Sequence, residues 1–365
     1  PNLYPQNRIV QADLDMIYDP DPEQTERNLG VFLDRIKDLR PTTVYLQAFC
    51  DDHATGNIRE VYFPNRILPV KQDLFSRVAH QLKTRAGVKV YAWMPMLSLE
   101  LPEDMARDDL YVREYVSGET QVTSAWYKRL SPFSAEVREI LTKLYEDLAV
   151  YAGIDGIVFQ DDGYLNSRED FHPDAIKKYQ EITGQDELTD PKMIDAGQTS
   201  EWIDEKVTVI NALSEHLLMT VAKYWPEIES ARTLYAPVVL DESAIARFSQ
   251  DYGRSLERYD YVVIMAYPYL EEVKNPKKWL KELVAAVKTH PEGIEKTVFK
   301  VQTFDWKKQR WINSKIVDQW LEALVASGAR HIAYYPDDYV KDHPQKNIIR
   351  SMMSVENFPY TRDWK

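Results

Sequence analysis

The chain has 365 residues, 44% of them hydrophobic, enough for one large elaborated domain or for two or three ordinary ones. Its 58 acidic residues outnumber its 45 lysines and arginines, and the resulting charge of −13 argues against nucleic-acid binding, which needs clustered cations to neutralise phosphate. A single cysteine, Cys50, excludes an internal disulfide and a thiolate metal site, and no apolar run is long enough to span a bilayer.

The opening PNLYPQNRIV has no initiator methionine and no signal-peptide apolar segment, so the chain is expected to be a mature or expressed piece of a longer protein. The first predicted strand is RIVQADLDMI (8–17), followed by EQTERNLGVFLDRIKDL, where Leu29, Leu33, Ile36 and Leu39 fall on one helical face. TTVYLQAFC (42–50) is the second strand, with LFSRVAHQLKTR as its helix, and VKVYAWMPML (88–97) the third. A long segment, 98–131, precedes the helix AEVREILTKLYEDLAVYA. The fourth strand, DGIVFQDD (155–162), is followed by another long segment, 163–227, with helical periodicity in two places. Four further strands, ARTLYAPVV (231–239), YDYVVIMAYP (259–268), KTVFKVQTF (296–304) and RHIAYYPDD (330–338), alternate with helices such as WLKELVAAVK and VDQWLEALVAS.

Eight strands each followed by a helix predict an α/β fold, a (β/α)8 TIM-type barrel of about 250 residues plus long insertions after strands 3 and 4. No repeat or linker divides it, so residues 1–365 read as one domain. A doubly wound open sheet is the competing architecture, but no G-x-G-x-x-G follows the first strand.

In such a barrel the strand ends converge on one pocket. They offer Asp13 and Asp15, then Gln47, Trp93, the adjacent pair Asp161 and Asp162, then Tyr267, Tyr269 and Glu271, Gln302 and Trp306, and Tyr335 and Asp337. Tyr127 in the first insertion and Tyr164 after the aspartate pair complete the candidate list. Rings that offer flat apolar faces beside acids and amides that bind hydroxyls have the composition of a carbohydrate site. A single Tyr or Trp near a strand end is more often core than platform; the pattern over many strand ends carries the reading.

Strict alternation groups Asp162 with Gln160 and Val158, and a polar Gln160 fits the barrel interior, which favours Asp162 pointing inward. A bulge at the strand end reverses that, and one of the two acids is then structural. Asp155 lies six residues earlier, roughly 20 Å away at the opposite mouth, and reads as a turn residue. The seven histidines form no metal motif, and there is no G-x-S-x-G elbow and no P-loop. No metal or cofactor is therefore expected, and paired carboxylates remain the chemistry to hand, as in glycoside hydrolysis.

TTVYLQAFCDD, EVYFPNRILPVKQDLFSRVAHQLKTRAGVKVYAWMPML, YKRLSPF, LYEDLA, DGIVFQDD and IMAYPYLEE resemble the C-terminal domain of bacterial poly-β-1,6-N-acetylglucosamine N-deacetylases, nearly from end to end. The resemblance implies a barrel that binds the partly deacetylated polymer and cleaves it internally, with Asp161 and Asp162 at the position of the family's acids. It also implies a deacetylase domain elsewhere in the full-length chain, an outer-membrane export protein as a further partner, and a Gram-negative periplasmic setting with an upstream membrane anchor. A competing reading is a non-catalytic barrel that holds the polymer for the deacetylase domain and hands it to the export channel. A glycosidase acting on an ordinary neutral glycan is a third.

Overall fold

The computed structural model describes residues 6–184 and 199–355. Eight parallel strands close into a barrel: β1 (Arg8–Ala12), β2 (Thr43–Gln47), β3 (Lys89–Met94), β4 (Gly156–Phe159), β5 (Glu229–Tyr235), β6 (Tyr261–Met265), β7 (Thr297–Gln302) and β8 (His331–Tyr335). Consecutive strands pair, and β1 closes on β8 with Arg8 opposite Ile332 and Val10 opposite Tyr334. The expected TIM-type architecture is the one found. Almost every strand position is buried, because side chains face either the barrel interior or the helix layer, and neither is wet.

The outer layer holds α1 (Pro22–Leu39), α2 (Phe75–Gln81), α3 (Ala135–Tyr151), α4 (Pro173–Thr183), α5 (Ser200–Ala222), α6 (Tyr252–Arg258), α7 (Pro276–Lys288), α8 (Ser314–Ala326) and α9 (Lys346–Met353). Helix α1 shows why the sequence stops and starts where it does. Asp21 accepts the Glu23 amide at 3.0 Å, Pro22 occupies the first turn, and Leu29, Phe32, Leu33, Ile36 and Leu39 bury one face. Both long insertions come after strand C-termini. Residues 98–131 carry an antiparallel hairpin, Arg113–Val116 with Glu119–Val122, while 163–227 carries α4 and α5; its residues 185–198 lie outside the described set.

The strands end earlier than the apolar runs predict: β1 stops at Ala12 rather than Ile17, and β4 at Phe159 rather than Asp162. Beyond those points the chain bends to meet neighbouring loops, and alternation no longer decides where a side chain points. At the opposite mouth, the Asp155 carboxylate accepts the Val90 amide at 2.9 Å and faces Lys83 Nζ at 3.2 Å, a structural tie as expected. Gly156 starts β4 because Tyr91 fills the space a side chain needs; a Cβ there would lie 2.6 Å from its ring.

Candidate functional site

The site is assembled from residues at and just beyond the strand ends. After β4 the chain turns at Gln160, and Asp161 emerges half-buried at the C-terminal mouth. Its two carboxylate oxygens accept the hydroxyls of Tyr127 and Tyr235, each at 3.0 Å. Burial and the Asp161 charge push both phenols well above their ordinary pKa, so they stay protonated and donate. Tyr164 packs edge-on against both rings, with centroids 6.3 and 5.9 Å away, and the Arg129 guanidinium lies 4.0 Å over its face. Arg129 is itself buried against Glu169 and donates to the Tyr164 carbonyl, which fixes this aromatic wall.

Asp162 corrects the alternation argument. It is fully buried, and its carboxylate accepts the backbone amides of Met96 (3.0 Å), Leu97 (2.8 Å) and Ser98 (2.7 Å) beyond β3. Burial pushes its pKa up while the amides pull it down. With its oxygens committed to main chain and no exposure, Asp162 is an anchor and does not reach a substrate. The inward parity holds only as far as Gln160, whose amide lies 3.4 Å from the Tyr127 hydroxyl.

Asp13 shares the mouth with Asp161, and the buried Tyr267 phenol feels both charges. Strand β1 ends one residue earlier, and Asp13 sits half-buried with the Tyr335 hydroxyl 3.1 Å from its carboxylate. Burial, and then the neighbouring Asp15 charge, raise its pKa to about 7 against the pull of Tyr335. Asp15 does not share that role. The turn at Leu14–Met16 separates it from Asp13, and it accepts Gln47 Nε2 (3.0 Å), the Asp51 amide (3.0 Å) and the Tyr62 hydroxyl (2.5 Å). Gln47 is likewise spent on Asp15, whose amide its carbonyl accepts at 3.2 Å. Both hold the loop after β2.

Trp93, Tyr267, Trp306 and Tyr335 form one aromatic cluster beside Asp13 at the strand ends. Trp306 stacks on Tyr335 at 6.2 Å and 23° and leans on Tyr267 at 5.6 Å, while Trp93 meets Tyr335 edge-on at 5.2 Å. Glu271 stands half-buried, its pKa raised by burial against the fields of Arg247 and Lys307.

Three further candidates turn away. Gln302 is fully buried, accepts the amides of Tyr269 (2.9 Å) and Leu270 (3.1 Å) and donates to Phe304 O (2.8 Å), bracing two loops. Tyr269 packs edge-on against Trp320 of α8 at 5.0 Å rather than across the groove. Asp337 is buried between the Arg35 guanidinium of α1 (2.9 Å) and the Tyr334 hydroxyl (2.6 Å), where it ties α1 to the end of β8.

Sequence reasoning passed over two residues of the site. Tyr235 ends β5 and obeys the same strand-end rule as the other aromatics. Lys300 lies in the middle of β7, buried beneath the groove; it donates to Gln11 Oε1 at 2.8 Å and sits 5.8 and 5.9 Å from the Tyr267 and Tyr335 ring centroids. Burial lowers its pKa to about 8, opposed by the field of Asp161. A lysine inside the apolar run TVFKV was the available signal. Among the described residues no group of His, Cys, Asp or Glu is arranged to hold a metal ion, and no helix is long and apolar enough to cross a membrane.

Two carboxylates among aromatic rings at the C-terminal mouth, Asp161 held by two tyrosine hydroxyls and Asp13 by one, can supply acid–base chemistry to a sugar. The family model described as hypothetical glycosyl hydrolase family 13, GHL13, matches residues 11–335. The PgaB (BpsB) glycoside hydrolase domain from Bordetella bronchiseptica superposes with a TM-score of 0.86 at 41% identity, over 96% of this chain and 99% of that one. Poly-beta-1,6-N-acetyl-D-glucosamine N-deacetylase from Escherichia coli K12 is 38% identical over 360 residues, 96% of this chain but 53% of its own. The chain thus spans about half the length of the curated relatives it matches. Alpha-L-fucosidase isoenzyme 2 from Paenibacillus thiaminolyticus shares the fold alone, with a TM-score of 0.63 at 12% identity, over 96% of this chain and 49% of that one.

Proposed function

The chain belongs to this glycosyl hydrolase family, GHL13, and on that premise we propose that it cleaves partly deacetylated poly-β-1,6-N-acetylglucosamine at internal linkages. The observation that carries the reading is Asp161, suspended between the Tyr127 and Tyr235 hydroxyls in a groove walled by Tyr164, Tyr267, Trp306 and Tyr335. The names of the relatives supply the polymer, and the net charge of −13 suits one that carries ammonium groups after deacetylation.

In this reading Asp161, in its acid form, donates its proton to the glycosidic oxygen as the C–O bond breaks, while a water gives a proton to Asp13 and forms the new C–O bond at the anomeric carbon. Asp13 is the partner that takes up a proton on the other side, and its pKa of about 7 is matched to that work near neutrality. Tyr127 and Tyr235 hold the Asp161 carboxylate in place, so that little reorganisation is needed at the moment of transfer. Trp306 and Tyr335 offer ring faces to the sugar C–H groups. The setting that fits is the periplasm, beside a deacetylase domain that prepares the polymer.

The test is incubation of the protein with partly deacetylated polymer, with products sized by mass spectrometry. Shorter oligomers from the wild type, and a loss of about 100-fold or more in Asp161→Asn with binding retained, are the expected results. Folded wild-type protein that binds the polymer and releases no fragments would sink the hydrolase reading and favour a holding barrel.

A further inference from the structure

Trp126 is the most exposed of the large apolar rings among the described residues, at 66% of its full accessible surface. A tryptophan ordinarily buries most of its area, so a wet indole needs a reason. Its position supplies one. The next residue, Tyr127, is buried and carries its hydroxyl to Asp161, so the exposed indole is the chain neighbour of a side chain that bonds the reactive carboxylate.

The ring is also pinned. Gly56, with φ +74°, brings its backbone so close that an added Cβ would lie 2.7 Å from Trp126 Nε1 and 2.8 Å from the Tyr127 ring. Both aromatic side chains therefore flank one glycine. The loop that presents Gly56 is preset: the Asp51 carboxylate accepts the Thr55 amide at 2.8 Å and the Gly56 amide at 3.0 Å, and Asn57 Oδ1 accepts the Lys128 amide at 2.9 Å. The indole is braced against the Gly56 backbone while most of its surface stays in water, the arrangement of a stacking platform rather than of a loose surface residue.

We propose that Trp126 is a distal sugar subsite that stacks on a pyranose ring of the polymer, beyond the sugar at Asp161, so that longer chains bind more tightly than short ones. The proposal rests on the reading that this groove takes a glucosamine polymer. Continuity with the groove, through the shared Gly56 and the adjacent Tyr127, is what selects a sugar of that same chain as the occupant.

The test measures binding, by calorimetric titration of Asp161→Asn protein, of partly deacetylated oligomers graded from a disaccharide upward. Introducing Trp126→Ala in that background is expected to weaken long oligomers about tenfold, the scale of a lost aromatic stack with its buried area, and the disaccharide much less. Trp126→Phe should restore most of the affinity. A loss equal at every length, or no loss for long oligomers, overturns the subsite. Turnover by the wild type is scored separately: a protein that releases no fragments but shows the length-dependent loss keeps the subsite and loses the hydrolase reading, whereas wild-type cleavage with a length-independent loss does the reverse.

Discussion

Replacing Asp162 with asparagine distinguishes anchor from reactant. The carboxylate accepts three main-chain amides at 2.7–3.0 Å, with Met96 N shared between its oxygens. An asparagine retains one oxygen. Placed to keep Leu97 and Ser98, it turns its NH2 group toward the Met96 amide, donor against donor. The two bonds to Leu97 and Ser98 then become neutral ones, losing about 1 kcal/mol each, and the Met96 amide, still in reach of the retained oxygen, now also faces a donor, at a cost of about 1–2 kcal/mol. Against this, the buried charge is no longer desolvated, and since burial pushes the pKa of this group up, its removal offsets part of the loss. The net expectation is a loss of about 2–3 kcal/mol, read as a lower urea midpoint at unchanged slope. Asp161→Asn, half-exposed and still able to accept from Tyr127 or Tyr235, should change the midpoint by less than about 1 kcal/mol while abolishing turnover. If Asp162→Asn unfolds like the wild type and yet loses turnover as completely as Asp161→Asn, the anchor role is refuted and Asp162 belongs to the chemistry.

Asp13→Asn should abolish the rise of wild-type activity with pH through about 7, because the reaction needs this carboxylate ionised. The same group favours the folded state when protonated, so wild-type stability should fall by at most about 4 kcal/mol as pH rises from near 4 through 7, and the variant should be flat there; an unchanged slope in the variant would remove the assignment. Lys300, with its pKa lowered to about 8, binds its proton less tightly folded than unfolded. Stability should therefore rise between about pH 8 and 10, by at most about 3 kcal/mol, and Lys300→Met should lose that rise in thermal melts across the window. Tyr235→Phe removes one of two hydroxyls from Asp161 and should lower kcat about tenfold to a hundredfold with little effect on folding; an unchanged kcat would take Tyr235 out of the site.

The barrel was legible because every strand is an apolar run rich in Val, Ile, Tyr and Phe, and every helix shows its buried stripe. Asp13, Asp161, Tyr267, Trp306 and Tyr335 were legible for a related reason: a polar or aromatic residue at the end of such a run has few places to go but the C-terminal mouth. What the pattern could not separate is a strand-end acid that faces the groove from one that is consumed by its surroundings. Asp15 meets Tyr62 and the Asp51 amide, and Asp337 meets Arg35, from positions 36 to 302 residues away in sequence. No periodicity encodes those partners. Gln302 was misread for the same reason, since its acceptors and donors are main-chain groups of two loops whose paths are set by tertiary packing.

The adjacent acids are best understood as one device with two parts. Strand β4 is held at four residues, with Gly156 under Tyr91 at one end and the Gln160 amide bonded to Met94 O at 2.9 Å at the other. Just beyond β3, the amides of Met96, Leu97 and Ser98 turn into the protein and need an acceptor, because a buried donor left unpaired is costly. Asp162 meets that need, and Arg232, donating to the Gly163 carbonyl, fixes the next link of the chain. Gly163 has room for no side chain here: a Cβ would lie 2.7 Å from Arg232 and 2.9 Å from the Met96 sulfur. With the backbone clamped on that side, the preceding residue is turned the other way, into the space between the two phenols. Asp161 therefore reaches the groove because Asp162 does not, and exchanging their roles would require the β3 loop to find another acceptor for three amides.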